Sequence, residues 1–211
     1  MQTYQTERTP ILIVFEEKAG FKDTYAGEIG RIALQAHLIR PVDKPSKTVA
    51  VFMHPTGGGA YLPMMNALAK AGVHTVWCDS RYRGTDSALI MEKVVIDLGN
   101  CVKELKNRHG YETVVLGGWS GGGSLSLYFQ AEAENTTVTA TPAGEPPDLT
   151  IQELVPADGI MLIAAHLARH ENTTHAAKKR TKALKKKTAR KKVAKRKAAT
   201  RRVAKRKAAK K

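Results

Sequence analysis

The chain has 211 residues and a formal net charge of +16, yet 20 of its 35 Lys and Arg residues fall between Lys178 and Lys211, where there is no acid. The other 15 face all 19 Asp and Glu, so positions 1–177 are slightly acidic and long enough to bury one core, to which the basic end cannot contribute. Membrane-spanning and secreted classes are not indicated: no apolar run approaches the roughly 18 residues of a span, and "MQTYQTERTP" lacks the basic start and apolar segment of a secretory signal.

In chain order, Ile11–Phe15 is a short apolar strand, and Ile32–Ile39 a second of mixed character. Thr48–Met53 ("TVAVFM") is a β-branched strand that runs into "HPTGGGA". Tyr61–Ala71 suits a helix stopped by Gly72, and His74–Cys78 is the next strand, followed by "DSRYRGTD". The spacing of Leu89, Val94, Val95, Leu98, Val102 and Leu105 predicts a helix over Ala88–His109, with Asp86 or Ser87 as its cap and Gly110 closing it. Thr113–Leu116 is the strand before Gly118-Trp119-Ser120-Gly121-Gly122, and Gly122–Ala133 the helix after it. Residues 135–157, with Pro142, Pro146, Pro147 and Pro156, read as a loop or small lid. Gly159–Ala165 is a last apolar strand that ends at His166. The two cysteines, Cys78 and Cys101, fall within these elements and read as buried free thiols of a reducing compartment.

Strands separated by helices argue for an α/β fold with a mostly parallel sheet covered on both faces. Functional groups then belong at the carboxyl ends of the strands, where the three Gly-containing loops fall. Gly118–Gly122 has the G-x-S-x-G pattern of a serine lifted clear of the backbone on a strand-to-helix turn, which makes Ser120 a candidate nucleophile. Residue types alone also allow a Gly-rich turn that packs strand on helix. Acyl transfer builds negative charge on a carbonyl oxygen, and backbone N–H groups aimed at it form an oxyanion hole. The Gly121 N–H is one candidate donor, and Thr56 or Gly57 of the Gly-rich loop the second; Pro55 has no N–H to give. Neither Gly-rich loop has the G-K-[ST] ending of a phosphate-binding P-loop.

These three loops resemble those of the α/β-hydrolase superfamily over residues 10–171. "HPTGGG" is similar to that family's oxyanion loop, "DSRYRGTD" to its turn after the fourth strand, "GWSGGGS" to its nucleophile elbow and "DGIMLIAAH" to its sixth strand. The resemblance implies a serine hydrolase acting on an ester, amide or related acyl bond of a small molecule, with no cofactor and no metal. In that family the acid follows the seventh strand and the histidine the eighth, after the serine. Here the pattern stops near Asn172, so the expectation is a domain over 1–175, truncated after six strands, weak or inactive for want of an acid and a base. His166 is the candidate base, ahead of His170 and His175; Asp148 and Asp158 are poorly placed to orient one, and the turn around Asp79 favours a structural role. A last strand left unpaired at the sheet edge invites self-association.

Residues 176–211 form a separate basic tail in which "KKVAKRKAAT" (Lys191–Thr200) recurs as "RRVAKRKAAK" (Arg201–Lys210). Its charge density opposes a stable solitary helix, so the expectation is a disordered or conditionally helical segment. It resembles the Lys/Ala-rich tails of linker-histone-like proteins. That implies DNA or RNA as a partner through Lys178–Lys211, by phosphate neutralisation with little sequence preference. The expected location is cytoplasmic, with association with a nucleoid, and no membrane partner is expected.

Overall fold

A computed structural model describes residues 3–17, 30–59, 62–84 and 89–165. All lie in the first of the chain's two units, Met1–Leu167. The basic tail, His166, His170 and His175 fall outside the described residues.

Nine elements follow one another along the described residues. They are β1 (Thr6–Glu16), β2 (Arg31–Pro41), β3 (Thr48–Phe52), α1 (Pro63–Lys70), β4 (His74–Cys78), α2 (Met91–Asn107), β5 (Thr113–Trp119), α3 (Gly121–Glu134) and β6 (Gly159–Ile163). The sheet order is β1-β2-β4-β3-β5-β6. β3 is parallel to β4 and β5, and β5 to β6, while β2 is antiparallel to both β1 and β4. Five strands therefore share one direction and β2 alone opposes them, which makes the sheet mostly parallel, as the alternation of strands and helices led us to expect.

The strands alternate their burial between two cores, the period-two signature of a sheet covered on both faces. Val49, Val51, Met53, Val76 and Cys78 face the larger core, filled by α2 and α3. Ala50, Phe52 and Trp77 face the other, where Met65 and Ala69 of α1 lie. On α2 the residues picked out by helical spacing, Val94, Val95, Leu98, Val102 and Leu105, are buried. Full burial of each such side chain stabilises the fold by about 1.5–3 kcal/mol.

The structure also changes several boundaries. β1 and β2 are longer than their apolar stretches because they pair along their whole length, from Thr6↔Pro41 to Glu16↔Arg31. β5 extends through Gly117, Gly118 and Trp119 because these pair with Met161, Leu162 and Ile163 of β6, and Gly117 leaves room for the Phe52 ring. Helix α2 starts at Met91 with Ile90 at its N-cap position and no side-chain cap; Asp86 and Ser87 lie outside the described residues. Cys78 and Cys101 are free and buried, and the neighbouring Cys101 thiol together with burial pushes the Cys78 pKa up.

Residues 135–158 contain no helix or strand, and they run from the end of α3 to Gly159, which pairs with Val115 near the start of β5. The segment thus lies at the amino edge of the parallel strands, opposite the end at which Ser120 sits. It is anchored along its length: Leu149 is buried in the core, Glu132 accepts from the Thr137 and Val138 N–H groups, and Gln130 bonds both the N–H and the carbonyl of Ala157. So anchored, it is a strap across the amino edge of the core.

Candidate active site

Three loops meet at the carboxyl edge because β3, β4 and β5 are adjacent parallel strands that end side by side. The loop after β4 braces the loop after β3. Ser80 Oγ donates to the Pro55 carbonyl at 2.6 Å, and the Gly84 N–H donates to the Thr56 carbonyl at 2.9 Å. The buried Asp79 carboxylate accepts from the Gly58 N–H at 2.8 Å and from Trp77 Nε1–H at 2.7 Å, and pairs with Arg83 Nε at 3.3 Å. Its role is the structural one its turn suggested.

The bracing loop is itself fixed by Arg81. Its guanidinium reaches Asp97 at 2.7 Å and Glu17 at 2.5 Å, and its backbone N–H also donates to Asp97. Asp97 is fully buried on α2, and burial pushes its pKa up against the pull of Arg81. Burial likewise opposes the charge on Arg81, but Asp97 and Glu17 outweigh it and raise the Arg81 pKa. No local pattern marks this triad; its one trace in the sequence is Asp97 between the apolar Ile96 and Leu98 of α2.

Ser120 sits between β5 and α3 with φ 52° and ψ −125°. Positive φ is uncommon outside glycine, and for serine it holds the side chain away from the path of both flanking elements. Its N–H bonds Ile163 O at 3.4 Å, tying the turn to the end of β6, and its carbonyl accepts from the Gly123 N–H at 3.1 Å. The glycines that follow let β3 approach: a Cβ on Gly122 would strike the Met53 carbonyl, and one on Gly121 would lie 2.9 Å from His54 Nε2. The chain thus brings Ser120, Gly121 and the His54–Gly59 loop together.

Within that loop, the Thr56 N–H donates to His54 Nδ1 at 3.3 Å and the Gly57 N–H to the His54 carbonyl at 2.8 Å. For either to act as an oxyanion donor it would have to exchange its present acceptor for the substrate oxygen. Of the carboxylates weighed as partners for a base, Asp148 accepts from the N–H and hydroxyl of Thr150. Asp158 accepts from the Val114 N–H and pairs with Lys106 at 3.0 Å. The Val114 N–H first and Lys106 after it lower the Asp158 pKa. Asp158 lies at the amino edge of the sheet, remote from Ser120. Among the described residues no imidazole or carboxylate is hydrogen-bonded to the Ser120 hydroxyl, no group of His, Cys, Asp and Glu is arranged to hold a metal, and no helix is long and apolar enough to cross a membrane.

No protein-family model matches the chain, and no curated protein matches it. Among solved structures it is similar to a brefeldin A esterase described as a bacterial homologue of human hormone sensitive lipase, at 20% identity and TM-score 0.44 over 63% of this chain and 37% of that one. It is also similar to the Pyrococcus furiosus esterase Pf2001, at 20% identity and TM-score 0.45 over 61% and 48%, and to a bacterial heroin esterase, at 15% identity and TM-score 0.46 over 76% and 45%. The chain matches less than half the length of each.

Proposed function

We propose that this chain is a serine hydrolase of α/β-hydrolase type that acts on an ester, amide or related acyl bond, with Ser120 as the nucleophile. The observation that carries this reading is the backbone of Ser120. A turn that merely packs strand on helix would be less strained with glycine at that position, whereas this chain holds serine there at φ 52° beside the first turn of α3. Attack by Ser120 Oγ on the acyl carbon would drive charge onto the carbonyl oxygen, within reach of the Gly121 N–H at the positive end of α3. Thr56 or Gly57 would supply a second donor on rearrangement of their turn.

The Ser120 proton must pass to a base, and we assign that role to His166, which follows the β6 rim in the sequence. With no carboxylate identified to orient it, turnover is expected to be slow, because an unassisted hydroxyl is a poor nucleophile. A fluorophosphonate probe tests the reading: labelling on Ser120, found by peptide mass spectrometry and lost in Ser120→Ala, supports it. A chain that takes no label, or takes it elsewhere, overturns it.

A second reading concerns polyanions, favoured by the segregation of charge. Residues Lys178–Lys211 would bind DNA or RNA whatever the hydrolase-like part does. A DNA gel shift that weakens with salt and disappears on removal of 178–211 is the expected result.

A further inference from the structure

Three successive N–H groups of the Gly-rich loop already have acceptors: Thr56 on His54 Nδ1, Gly57 on the His54 carbonyl and Gly58 on Asp79 Oδ1. The first of these bonds, at 3.3 Å, bears on the state of the His54 ring. A backbone N–H can only donate, so a ring that takes this bond accepts at an unprotonated Nδ1 and, when neutral, carries its proton on Nε2. The Thr56 hydroxyl, 3.0 Å from the same Nδ1, is consistent with this tautomer when it donates. The ring packs against Trp119, with centroids 6.1 Å apart, and its Nε2 abuts Gly121, lying 2.9 Å from the position a Cβ there would take. His54 is thereby set between the residues on either side of Ser120.

We propose that His54 Nε2–H is a side-chain donor of the oxyanion hole, which it shares with the Gly121 N–H. This rests on the reading of Ser120 as nucleophile. When Ser120 Oγ adds to the acyl carbon, its proton leaves to the base and the carbonyl electrons move to oxygen. That oxygen then accepts from Gly121 N–H and from His54 Nε2–H, which exchanges any acceptor it has at rest for the stronger one. The same tautomer rules His54 out as the base, because a base at Nε2 needs a lone pair there. A neutral imidazole donor also keeps the Thr56 bond, whereas an imidazolium would lose it.

Two isosteric substitutions separate this role from mere loop building. In His54→Asn the side-chain oxygen can accept from the Thr56 N–H but nothing reaches the Nε2 position. In His54→Gln the longer side chain can return an amide N–H to that position. With p-nitrophenyl acetate, H54N is expected to lose about 100- to 1,000-fold in kcat at little change in KM, the range for one oxyanion donor. H54Q is expected to recover several-fold of it, both variants keeping the circular dichroism and Tm of the parent. Fluorophosphonate labelling rates should follow the same order. H54N at parental kcat and labelling rate overturns the proposal, and so do equal losses in H54N and H54Q, or a ¹⁵N-detected imidazole tautomer with the proton on Nδ1. A parent chain that takes no label at Ser120 overturns the nucleophile reading and this role with it; a labelled parent with an indifferent H54N overturns the His54 role alone.

Discussion

Ser120 pays for its position in backbone strain, and that strain is measurable apart from any chemistry. A non-glycine residue held at φ 52° costs on the order of 1–3 kcal/mol, which glycine would relieve at an entropic cost of about 0.5–1 kcal/mol. Ser120→Gly should therefore be more stable than Ser120→Ala by about 1 kcal/mol in urea unfolding, although both lose the nucleophile. Equal midpoints would mean that the turn is not strained. The elbow was legible in the sequence because Gly118, Ser120 and Gly122 are neighbours whose spacing alone demands a sharp turn. The abutment of His54 on Gly121 was not, because it arises only once β3 and β5 lie side by side.

At the scale of elements, the loop after β4 works as a bracket, and Arg81 is the bolt through it. Its two carboxylate partners, Glu17 and Asp97, are both buried, so removing the guanidinium would leave charges stranded in the core. Breaking a buried pair in this way costs about 3–5 kcal/mol, more than a surface ion pair could. Arg81→Ala should lower the urea midpoint accordingly and, if Ser120 is the nucleophile, weaken its labelling, since Ser80 and Gly84 on either side hold the His54–Gly59 loop. The strap over 135–158 has its own anchor in Glu132. Burial works against the charge there, but the N–H groups of Thr137 and Val138 and the Thr137 hydroxyl hold its pKa below the ordinary carboxylate value. A depressed carboxylate pKa stabilises the fold above its unfolded value, about 4.3 for Glu, and that contribution is lost as the pH falls through the folded one. Glu132→Gln should thus be less stable at pH 7 and show a flatter fall in urea midpoint below about pH 5. A parallel decline in both proteins would dissociate Glu132 from acid sensitivity. The prolines made this segment legible as irregular structure, but its anchoring to α2, α3 and the core depends on contacts that no local pattern carries.

At the scale of the whole molecule, the direction of the sheet could be read from alternating strands and helices, but its order could not. Nothing local says that β4 inserts between β2 and β3, or that β2 runs against the others. Net charge is legible in a different way, because it needs no fold to be summed. The average of +16 conceals an acidic excess over 1–177 and 20 cations without an acid over 178–211. If the basic end binds a polyanion as proposed, the acidic part should be repelled by that same polyanion. Each phosphate neutralised releases condensed counterion, so log affinity for duplex DNA should fall with log salt at a slope of roughly 0.9 per contact. If the two ten-residue repeats bind as equivalent units, deleting Arg201–Lys211 should reduce that slope by close to the share of cations removed, without altering preference among DNA sequences. A slope unchanged by the deletion, or a sequence preference that survives at high salt, would show that affinity comes from specific contacts elsewhere. Fluorophosphonate labelling of Ser120, repeated with and without saturating DNA, then separates two independent functions on one chain from a coupled one. Equal labelling rates are expected, since the Ser120 hydroxyl is neutral and the charged repeats supply no group that its chemistry requires.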